Sequence, residues 1–280
     1  MTAKLWFLGE ALIDFVPLEA GGETTFAPRC GGSPYNAAKA AALAGGRAAF
    51  LGAISTDLFG DMLAADLAAH GVDADHAPRR PEATTLAFVS LASGDPRYAF
   101  FNACTATSEM APGPFPGGPA DVLHVGSISL IDPPGGDNVA RFAEAVAAGA
   151  TLSLDPNARP GMIADAPAWR TRIERLGTRA GIVKVSAEDI AFLAPGTAPR
   201  DFAEAQVRRG SDVVVVTRGE DGALAATRDG LIDLPGYPIR VDDTVGAGDT
   251  VTGYLLAGLA ARGLTGRGAL GGLGATTLRP

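Results

Sequence analysis

Short apolar runs alternate with longer stretches in which apolar residues recur at helical spacing. The runs predicted as strands are Leu5–Gly9, Ala48–Ile54, Asp121–Val125, Thr151–Asp155, Gly181–Val185 and Asp212–Thr217. The stretches predicted as helices are Pro34–Ala44, Phe59–His70, Asn138–Ala148, Asp201–Arg208 and Asp249–Ala261. Four consecutive valines at positions 213–216 are typical of a strand that is buried on both faces. This alternation predicts a mostly parallel sheet covered by helices.

Two segments, residues 12–29 and 84–104, depart from this alternation because their short strands have no helix between them. Thr85–Leu91 and Arg97–Phe101 flank the turn residues Ser93–Pro96, a pattern that indicates a hairpin. The two segments are predicted to form a small sheet that projects from the main domain as a lid. No shift in composition marks a linker, so residues 1–280 are expected to form a single domain.

Composition excludes several classes of protein. With 47% hydrophobic and 19% charged residues among 280, the chain can form a large core. Its formal charge of −8 argues against nucleic acid or an anionic membrane as a partner. The two cysteines, Cys30 and Cys104, give no disulfide framework, and no apolar run is long enough to span a membrane. A cytoplasmic protein is therefore expected. Motifs of P-loop enzymes, protein kinases, zinc proteases and nucleophile-elbow hydrolases are missing from the sequence.

The strongest chemical signal is the run from Asp243 to Asp249, which leads into a helical pattern. Its small residues leave backbone N–H groups accessible at a helix N-terminus, where geometry and the helix dipole favour an anion. Asp249 falls in the first helical turn, beside the place where a phosphoryl group would lie, and could take a proton from an attacking hydroxyl. An aspartate at a helix start can also serve simply as a cap.

This run, together with Cys30–Asn36, resembles the two signatures of the ribokinase/PfkB family of sugar kinases. Further segments match the family in order along the chain: Gly9–Asp14, Asp155–Pro160, Lys184–Asp189 and Thr217–Gly222. The resemblance implies a ribokinase-like three-layer α/β fold, with a mostly parallel central sheet between helices and a small β-sheet lid. It also implies an ATP-dependent transfer to a sugar hydroxyl.

The resemblance assigns a role to individual residues. Asp249 would be the general base, with Gly246, Ala247 and Gly248 as the anion hole for the transferred phosphate. The residues that would bind the sugar are Asp14, Gly32, Ser33, Asn36, Phe100, Asn102 and Arg159. The residues that would border the nucleotide are Ser186, Thr217, Gly219 and Gly222, together with Gly246 and Gly248. Asp189 would contact Mg²⁺ through water, and Asp243 and Thr244 would hold a monovalent cation such as K⁺.

Several of these residues have plainer interpretations from the sequence. Arg159 could be a solvated surface residue, and Phe100 could anchor the lid rather than touch the sugar. Ser186 and Asp189 could form a helix cap, and the loop after Thr217 could be an ordinary turn. Tyr254 replaces a small residue of the family signature, and either crowds the nucleotide side or points outward. The chain ends at Pro280, which predicts a shortened C-terminal part next to the adenine.

Among sugar kinases, the segments at residues 9–15, 155–160 and 185–193 most resemble bacterial fructokinases. A 2-keto-3-deoxygluconate kinase or a ribokinase is the alternative. Asn102 occupies the lid position where an acidic sugar would need an arginine, and this favours a neutral sugar. A non-catalytic sugar-binding protein on the same fold is the alternative from another class. An exposed sheet edge tends to be covered. In the family that this chain resembles such lids often pair into dimers, so a homodimer that pairs through the lid is expected.

Overall fold

The computed structural model describes residues 2–20, 23–90, 97–238 and 245–273. The strands of the main sheet are β1 (Lys4–Leu8), β4 (Arg47–Phe50), β9 (Val122–Gly126), β10 (Thr151–Asp155), β11 (Ile182–Ser186), β12 (Val213–Thr217), β13 (Ala223–Thr227) and β14 (Gly230–Leu234). Within the described ranges they lie in the order β14-β13-β12-β11-β10-β9-β1-β4. The strands from β12 to β4 are parallel, and β13 and β14 run antiparallel to their neighbours.

Side chains of the central strands alternate between two hydrophobic cores, one on each face of the sheet. Leu5 and Phe7 of β1 point into one core, whereas Trp6 and Leu8 of the same strand point into the other. The valines of β12 divide between the two cores in the same way. A parallel sheet with both faces covered requires apolar residues at every position, which accounts for the continuous runs in the sequence.

Helices cover both faces of the sheet and complete the predicted three layers. The first core is covered by α1 (Ser33–Leu43), α2 (Leu58–Ala69), α7 (Ala247–Ala261) and α8 (Arg267–Leu270). The second core is covered by α3 (Gly135–Val146), α4 (Ala166–Gly177), α5 (Ala187–Leu193) and α6 (Pro199–Arg208). Helix α7 packs along α1, and this pairing positions the candidate site described below.

The two segments without helices form a second sheet, as predicted. Its strands are β2 (Leu12–Ala20), β3 (Glu23–Gly31), β7 (Thr85–Ser90) and β8 (Arg97–Phe101), in the order β3-β2-β7-β8. The predicted hairpin is present as the antiparallel pair β7–β8. Its turn at residues 93–96 lies outside the described residues.

Several predicted boundaries are wrong, and several elements were not predicted. The strand expected over residues 48–54 ends at Phe50, because Ile54–Ser55 (β5) leaves the main sheet to pair with Arg79–Arg80 (β6). Helix α3 begins three residues earlier than the pattern indicated, and α6 begins two residues earlier. Helix α4 escaped prediction although Trp169, Ile173 and Leu176 are buried at helical spacing. The antiparallel pair β13–β14 was also missed, since its strands are short and rich in alanine and glycine.

Candidate active site

A cleft of about 850 Å³ opens where the carboxyl ends of the central strands face the second sheet. In an open α/β sheet this edge is where ligands usually bind. The sequence-predicted residues that line the cleft are Asp14, Gly32, Ser33, Asn36, Phe100, Arg159, Ser186, Asp189, Thr217, Gly219, Gly222, Gly246, Ala247, Gly248 and Asp249. The structure therefore brings together residues that lie more than two hundred positions apart in the chain.

Asp249 lies in the first turn of α7, and its carboxylate is held by donors from two other segments. Gly246 caps the helix in the left-handed conformation, with φ of 75°, which glycine adopts without steric cost. The Ser33 hydroxyl donates to Asp249 Oδ1 at 2.7 Å, and the Asn36 side-chain amide donates to Oδ2 at 3.0 Å. Asn157 Nδ2 donates to Ser33 Oγ at 2.7 Å and to Asp249 Oδ1 at 3.3 Å. The carboxylate is thus fixed in position at the start of a helix.

The protonation of Asp249 reflects a balance between burial and hydrogen bonding. Burial raises its pKa above the ordinary value for aspartate, while the bonds from Ser33 and Asn36 lower it. The nearby carboxylate of Asp155 raises the pKa further, and the ammonium of Lys184 lowers it. The net shift is upward, toward the range in which a carboxylate accepts a proton efficiently near neutral pH.

The start of α1 is held by Glu10, a residue that the sequence analysis did not single out. The backbone N–H of Ser33 donates to Glu10 Oε1 at 2.9 Å, and that of Ser129 donates to Oε2 at 3.2 Å. Glu10 is buried, and this burial raises its pKa to about 7 against the effect of these hydrogen bonds. The Glu10 carboxyl therefore fixes the backbone of the residue whose hydroxyl orients Asp249.

Asp14, on β2 of the second sheet, and Arg159, in the segment after β10, both line the cleft. Burial raises the pKa of Asp14 to about 6, with Arg159 acting to lower it and Asp249 to raise it. Arg159 Nη1 donates to Asn157 Oδ1 at 2.6 Å and to the Ala158 carbonyl oxygen at 3.0 Å. Arg159 is therefore part of the cleft wall and not a solvated surface residue. Its bond to Asn157 extends the network around Asp249.

The second sheet presents Phe100 to the cleft and Phe101 to the opposite face. Phe100 also lines a neighbouring cavity of about 720 Å³, which includes Asn102. Asn102 Oδ1 accepts hydrogen bonds from Thr85 Oγ1 at 3.0 Å and from Thr105 Oγ1 at 3.1 Å. Asn102 thus faces the neighbouring cavity and not the cleft itself, and its role in substrate binding stays a prediction.

At the other end of the cleft, Ser186 and Asp189 form a capping box at the start of α5. Ser186 Oγ accepts from the Asp189 N–H at 3.0 Å, and Asp189 Oδ2 accepts from the Ser186 N–H at 2.9 Å. Asp189 Oδ1 accepts from the Ala158 N–H at 2.6 Å. Burial raises the pKa of Asp189 despite these bonds. Both oxygens accept hydrogen bonds from the protein, and a contact with a metal ion through water stays a prediction.

Thr217 ends β12 and is followed by a short turn, with Gly219 and Gly222 on the cleft wall. Tyr254 is 53% exposed, so it points outward and does not crowd the nucleotide side. Asp243 and Thr244, the predicted ligands of a monovalent cation, lie outside the described residues. In the described ranges, no group of three His, Cys, Asp or Glu residues could hold a metal ion, and no helix could span a membrane.

A buried ion pair between Lys184 and Asp155 also escaped the sequence analysis. Lys184 Nζ lies 3.0 Å from Asp155 Oδ2, and both side chains are almost fully buried. Lys184 lines the cleft beside Gly248. The available signal was a lysine inside an otherwise apolar strand, in a chain that contains only three lysines.

Comparison with known proteins agrees with this geometry. A family model described as pfkB family carbohydrate kinase matches residues 2–271. A fructokinase of Rhizobium leguminosarum bv. trifolii is 38% identical over 254 residues, which are 90% of this chain and 78% of the relative. The crystal structure of a fructokinase from Xylella fastidiosa with bound ATP superposes with a TM-score of 0.85 at 27% identity, over 96% of this chain and 85% of that one.

A fructokinase from Vibrio cholerae O395, solved with fructose, ADP and calcium ion, gives a TM-score of 0.83 at 28% identity over 92% of this chain and 84% of that one. These findings confirm the ribokinase-like α/β fold and the resemblance drawn from the motifs. The protein is thus a phosphotransferase that uses an alcohol group of a sugar as acceptor. By its motifs, its fold and the match along nearly its whole length, the chain belongs to the pfkB family of carbohydrate kinases.

Proposed function

We propose that this kinase transfers the γ-phosphoryl group of ATP to a hydroxyl of fructose, with Asp249 as the general base. The sugar is suggested by the relatives, since several similar curated proteins bear the name fructokinase. The related structure from Vibrio cholerae was solved with fructose and ADP. Because the reaction consumes ATP, we place the protein in the cytoplasm.

The observation that carries the proposal is the Asp249 carboxylate, fixed at the first turn of α7 beside the amides of Gly246–Gly248. A sugar hydroxyl placed against this carboxylate would lose its proton to Asp249 as it attacks the phosphorus. The N–H groups at the helix start would stabilise the charge that develops on the phosphoryl oxygens. Asp14, across the cleft, offers acceptors for further hydroxyl groups of the sugar.

We propose Mg²⁺ and K⁺ as the accompanying ions. Mg²⁺ keeps several waters and binds chiefly to substrate phosphates, which suits a cleft where the Asp189 oxygens are already hydrogen-bonded. Asp189 and Ser186 would then contact the hydrated ion through water, and Asp243 with Thr244 would hold K⁺. Related fructokinase structures were solved with calcium ion or potassium ion. Bound to ATP, Mg²⁺ would neutralise charge on the β- and γ-phosphates.

The proposal is tested by following ADP release with fructose, ribose and 2-keto-3-deoxygluconate as separate acceptors. Because the named relatives are fructokinases, fructose is expected to give the highest kcat/KM. A preference for the acidic sugar would refute the substrate assignment. A thermal-shift assay that shows sugar binding, with no ADP released from ATP in the presence of any of the three sugars, would instead favour a non-catalytic binding protein.

We also propose a homodimer that pairs through the outer face of the second sheet. Four phenylalanines, Phe15, Phe26, Phe88 and Phe101, form a cluster of ring contacts on this face. Phe101 is 60% exposed and Phe26 is 43% exposed. Exposed aromatic clusters of this kind commonly mark interfaces. Pairing there would leave Asp14 and Phe100, on the opposite face, free to line the cleft.

A further inference from the structure

Lys184 places a buried positive charge directly beneath the start of helix α7. Its side chain is only 4% exposed, and its strand, β11, is otherwise apolar apart from Ser186 at the end. Removing two charges from water carries a large cost, so a buried ion pair often adds little stability over a hydrophobic pair of similar size. The pair with Asp155 therefore calls for a role other than stability.

The ammonium lies against the last residue of the anion hole. A Cβ atom built on Gly248 would come within 2.8 Å of Lys184 Nζ, and the backbone of Gly248 leaves that space to the ammonium. Lys184 also lines the cleft that holds Asp249 and the Gly246–Gly248 amides. The charge is thus at the place where the phosphoryl group would be received, and a fixed charge in a buried site acts strongly on a developing anion.

Three carboxylates act electrostatically on this ammonium, from β10, α5 and α7, and the one on β10, Asp155, is hydrogen-bonded to it. Burial by itself lowers the pKa of Lys184, but Asp155, Asp189 and Asp249 together raise it above its ordinary value, so the side chain is charged. Asp155 has one oxygen on Lys184 and one buried oxygen, Oδ1, without a hydrogen-bond partner. The Asp155 carboxylate holds the lysine through Oδ2, which also accepts a hydrogen bond from Thr252 Oγ1 of α7 at 3.3 Å.

Other titratable groups near this cluster are Asp14 on β2, His124 on β9 and Arg159 after β10, together with Glu10 and Glu188, which also line the cleft. The pKa of Asp14 on β2 is raised to about 6, chiefly by burial, and the Asp249 carboxylate contributes to this rise. His124 on β9 faces Lys184, and burial together with that positive charge lowers its pKa to about 3, so its ring is neutral. Arg159 acts on Asp14. Among these described neighbours, Lys184 is the cation that acts on Asp249.

We propose that Lys184 is a positioning residue for phosphoryl transfer. Its ammonium, fixed by Asp155 beneath the first turn of α7, favours the charged form of the Asp249 carboxylate and adds a fixed positive charge under the anion hole. The inference rests on the proposed function, because it assigns to Lys184 an action on that base and on that phosphate. It involves no covalent step: the proton still passes from the sugar hydroxyl to Asp249.

The test compares Lys184→Met with Asp155→Asn, measuring kcat, KM and the pH dependence of kcat/KM with ATP and fructose. Removing the ammonium raises the pKa of Asp249, so the acid limb of the Lys184→Met profile moves to higher pH by about one unit. Removing the Asp155 carboxylate moves the limb to lower pH. Loss of a merely structural ion pair would destabilise both variants without shifting the two profiles in opposite directions.

The double variant Lys184→Met/Asp155→Asn guards against loss of folding, because it removes both members of the buried ion pair together and leaves neither without its partner. We expect it to unfold at a temperature close to that of the parent but to show a kcat lower by about 10–100-fold. A kcat within about threefold of the parent in the folded double variant, or unshifted profiles in both single variants, would overturn the proposal. The unaltered protein distinguishes failure of the proposed function from failure of the role proposed for Lys184. If the unaltered protein transfers no phosphoryl group to any sugar, the proposed function fails before Lys184 is changed.

Discussion

Replacing Gly253 with alanine should force apart the two helices that build the active site. Helix α7 meets α1 at this glycine, where a Cβ atom would lie 2.5 Å from the Ala37 carbonyl oxygen, 2.6 Å from Ala40 Cβ and 2.7 Å from the Ala41 nitrogen. Two of these atoms are backbone, so they cannot turn away as a flexible side chain would. Reaching an ordinary contact of 3.4 Å requires a separation of 3.4 − 2.5 = 0.9 Å.

The effect of Gly253→Ala on the free energy of unfolding can be estimated from two opposing contributions. Overpacking of a close helix contact costs about 1–3 kcal/mol, while alanine is favoured over glycine in a helix by about 1 kcal/mol. With rigid backbone on the other side, the net loss in the free energy of unfolding should be about 1–2 kcal/mol, a fall in Tm of roughly 2–8 °C.

The same displacement acts on catalysis, because α1 carries Ser33 and Asn36 while α7 carries Asp249. Their hydrogen bonds of 2.7 and 3.0 Å would stretch by up to the separation of the helices, beyond good hydrogen-bond geometry. A misplacement of about 1 Å at a catalytic group can lower the rate by about 100-fold. We therefore expect kcat to fall by about 10–100-fold in Gly253→Ala.

Gly258→Ala in the same helix is the matched control. The nearest atom to its new Cβ would be Arg262 Nη1 at 3.5 Å, an ordinary contact with a flexible side chain. It gains the same helix preference without the clash, so its Tm should equal or exceed that of the parent while kcat is unchanged. Thermal unfolding and steady-state ADP release measure both effects. A Gly253→Ala protein as stable and active as Gly258→Ala would refute the packing argument.

Three further predictions follow from the pKa shifts and the exposed aromatic cluster. Glu10 has a folded pKa of about 7, above its unfolded value, so its contribution to stability is present at low pH and is lost as the pH rises through about 7. Urea unfolding at pH 5 and pH 8 should show this loss of stability in the parent and a smaller loss in Glu10→Gln. Asp14 becomes protonated below a pH of about 6, so the KM for the sugar should rise below that pH. Asp14→Asn should raise KM about 10-fold at neutral pH and remove the dependence of KM on pH. Phe101→Asp should convert the homodimer to a monomer in light scattering without loss of fold, and a monomeric parent would contradict the interface.

Local patterns were enough to predict most of the main sheet and the second sheet. The valine run of β12 and the turn residues beside β7 and β8 carry their own signals, because burial on both faces and chain reversal each require particular residue types. The boundaries at Phe50 and the hairpin β13–β14 were not predictable in this way, since they depend on which neighbour a strand pairs with. Pairing is a property of the folded chain and not of the local sequence.

In the candidate site, too, the features with a local sequence signal were predictable and those that depend on the folded chain were not. Asp249 and the Gly246–Gly248 loop were identified from seven adjacent residues whose chemistry is local. The roles of Glu10, Asn157 and Lys184 were missed, because each acts on a group that is distant in the chain and adjacent only after folding. Ser33 and Asn36 were predicted to bind the sugar, and the structure adds that both hold the Asp249 carboxylate.

The most direct test of the account is the rate of ADP release by Asp249→Asn with ATP and fructose. Asparagine keeps the shape of the side chain and removes a buried charge, so the variant should remain folded with a Tm close to that of the parent. Loss of a general base lowers the rate by about 100–10,000-fold, and a fall in kcat of that size is the expected result. A folded variant whose kcat lies within about tenfold of the parent would contradict the assignment of Asp249 as the base.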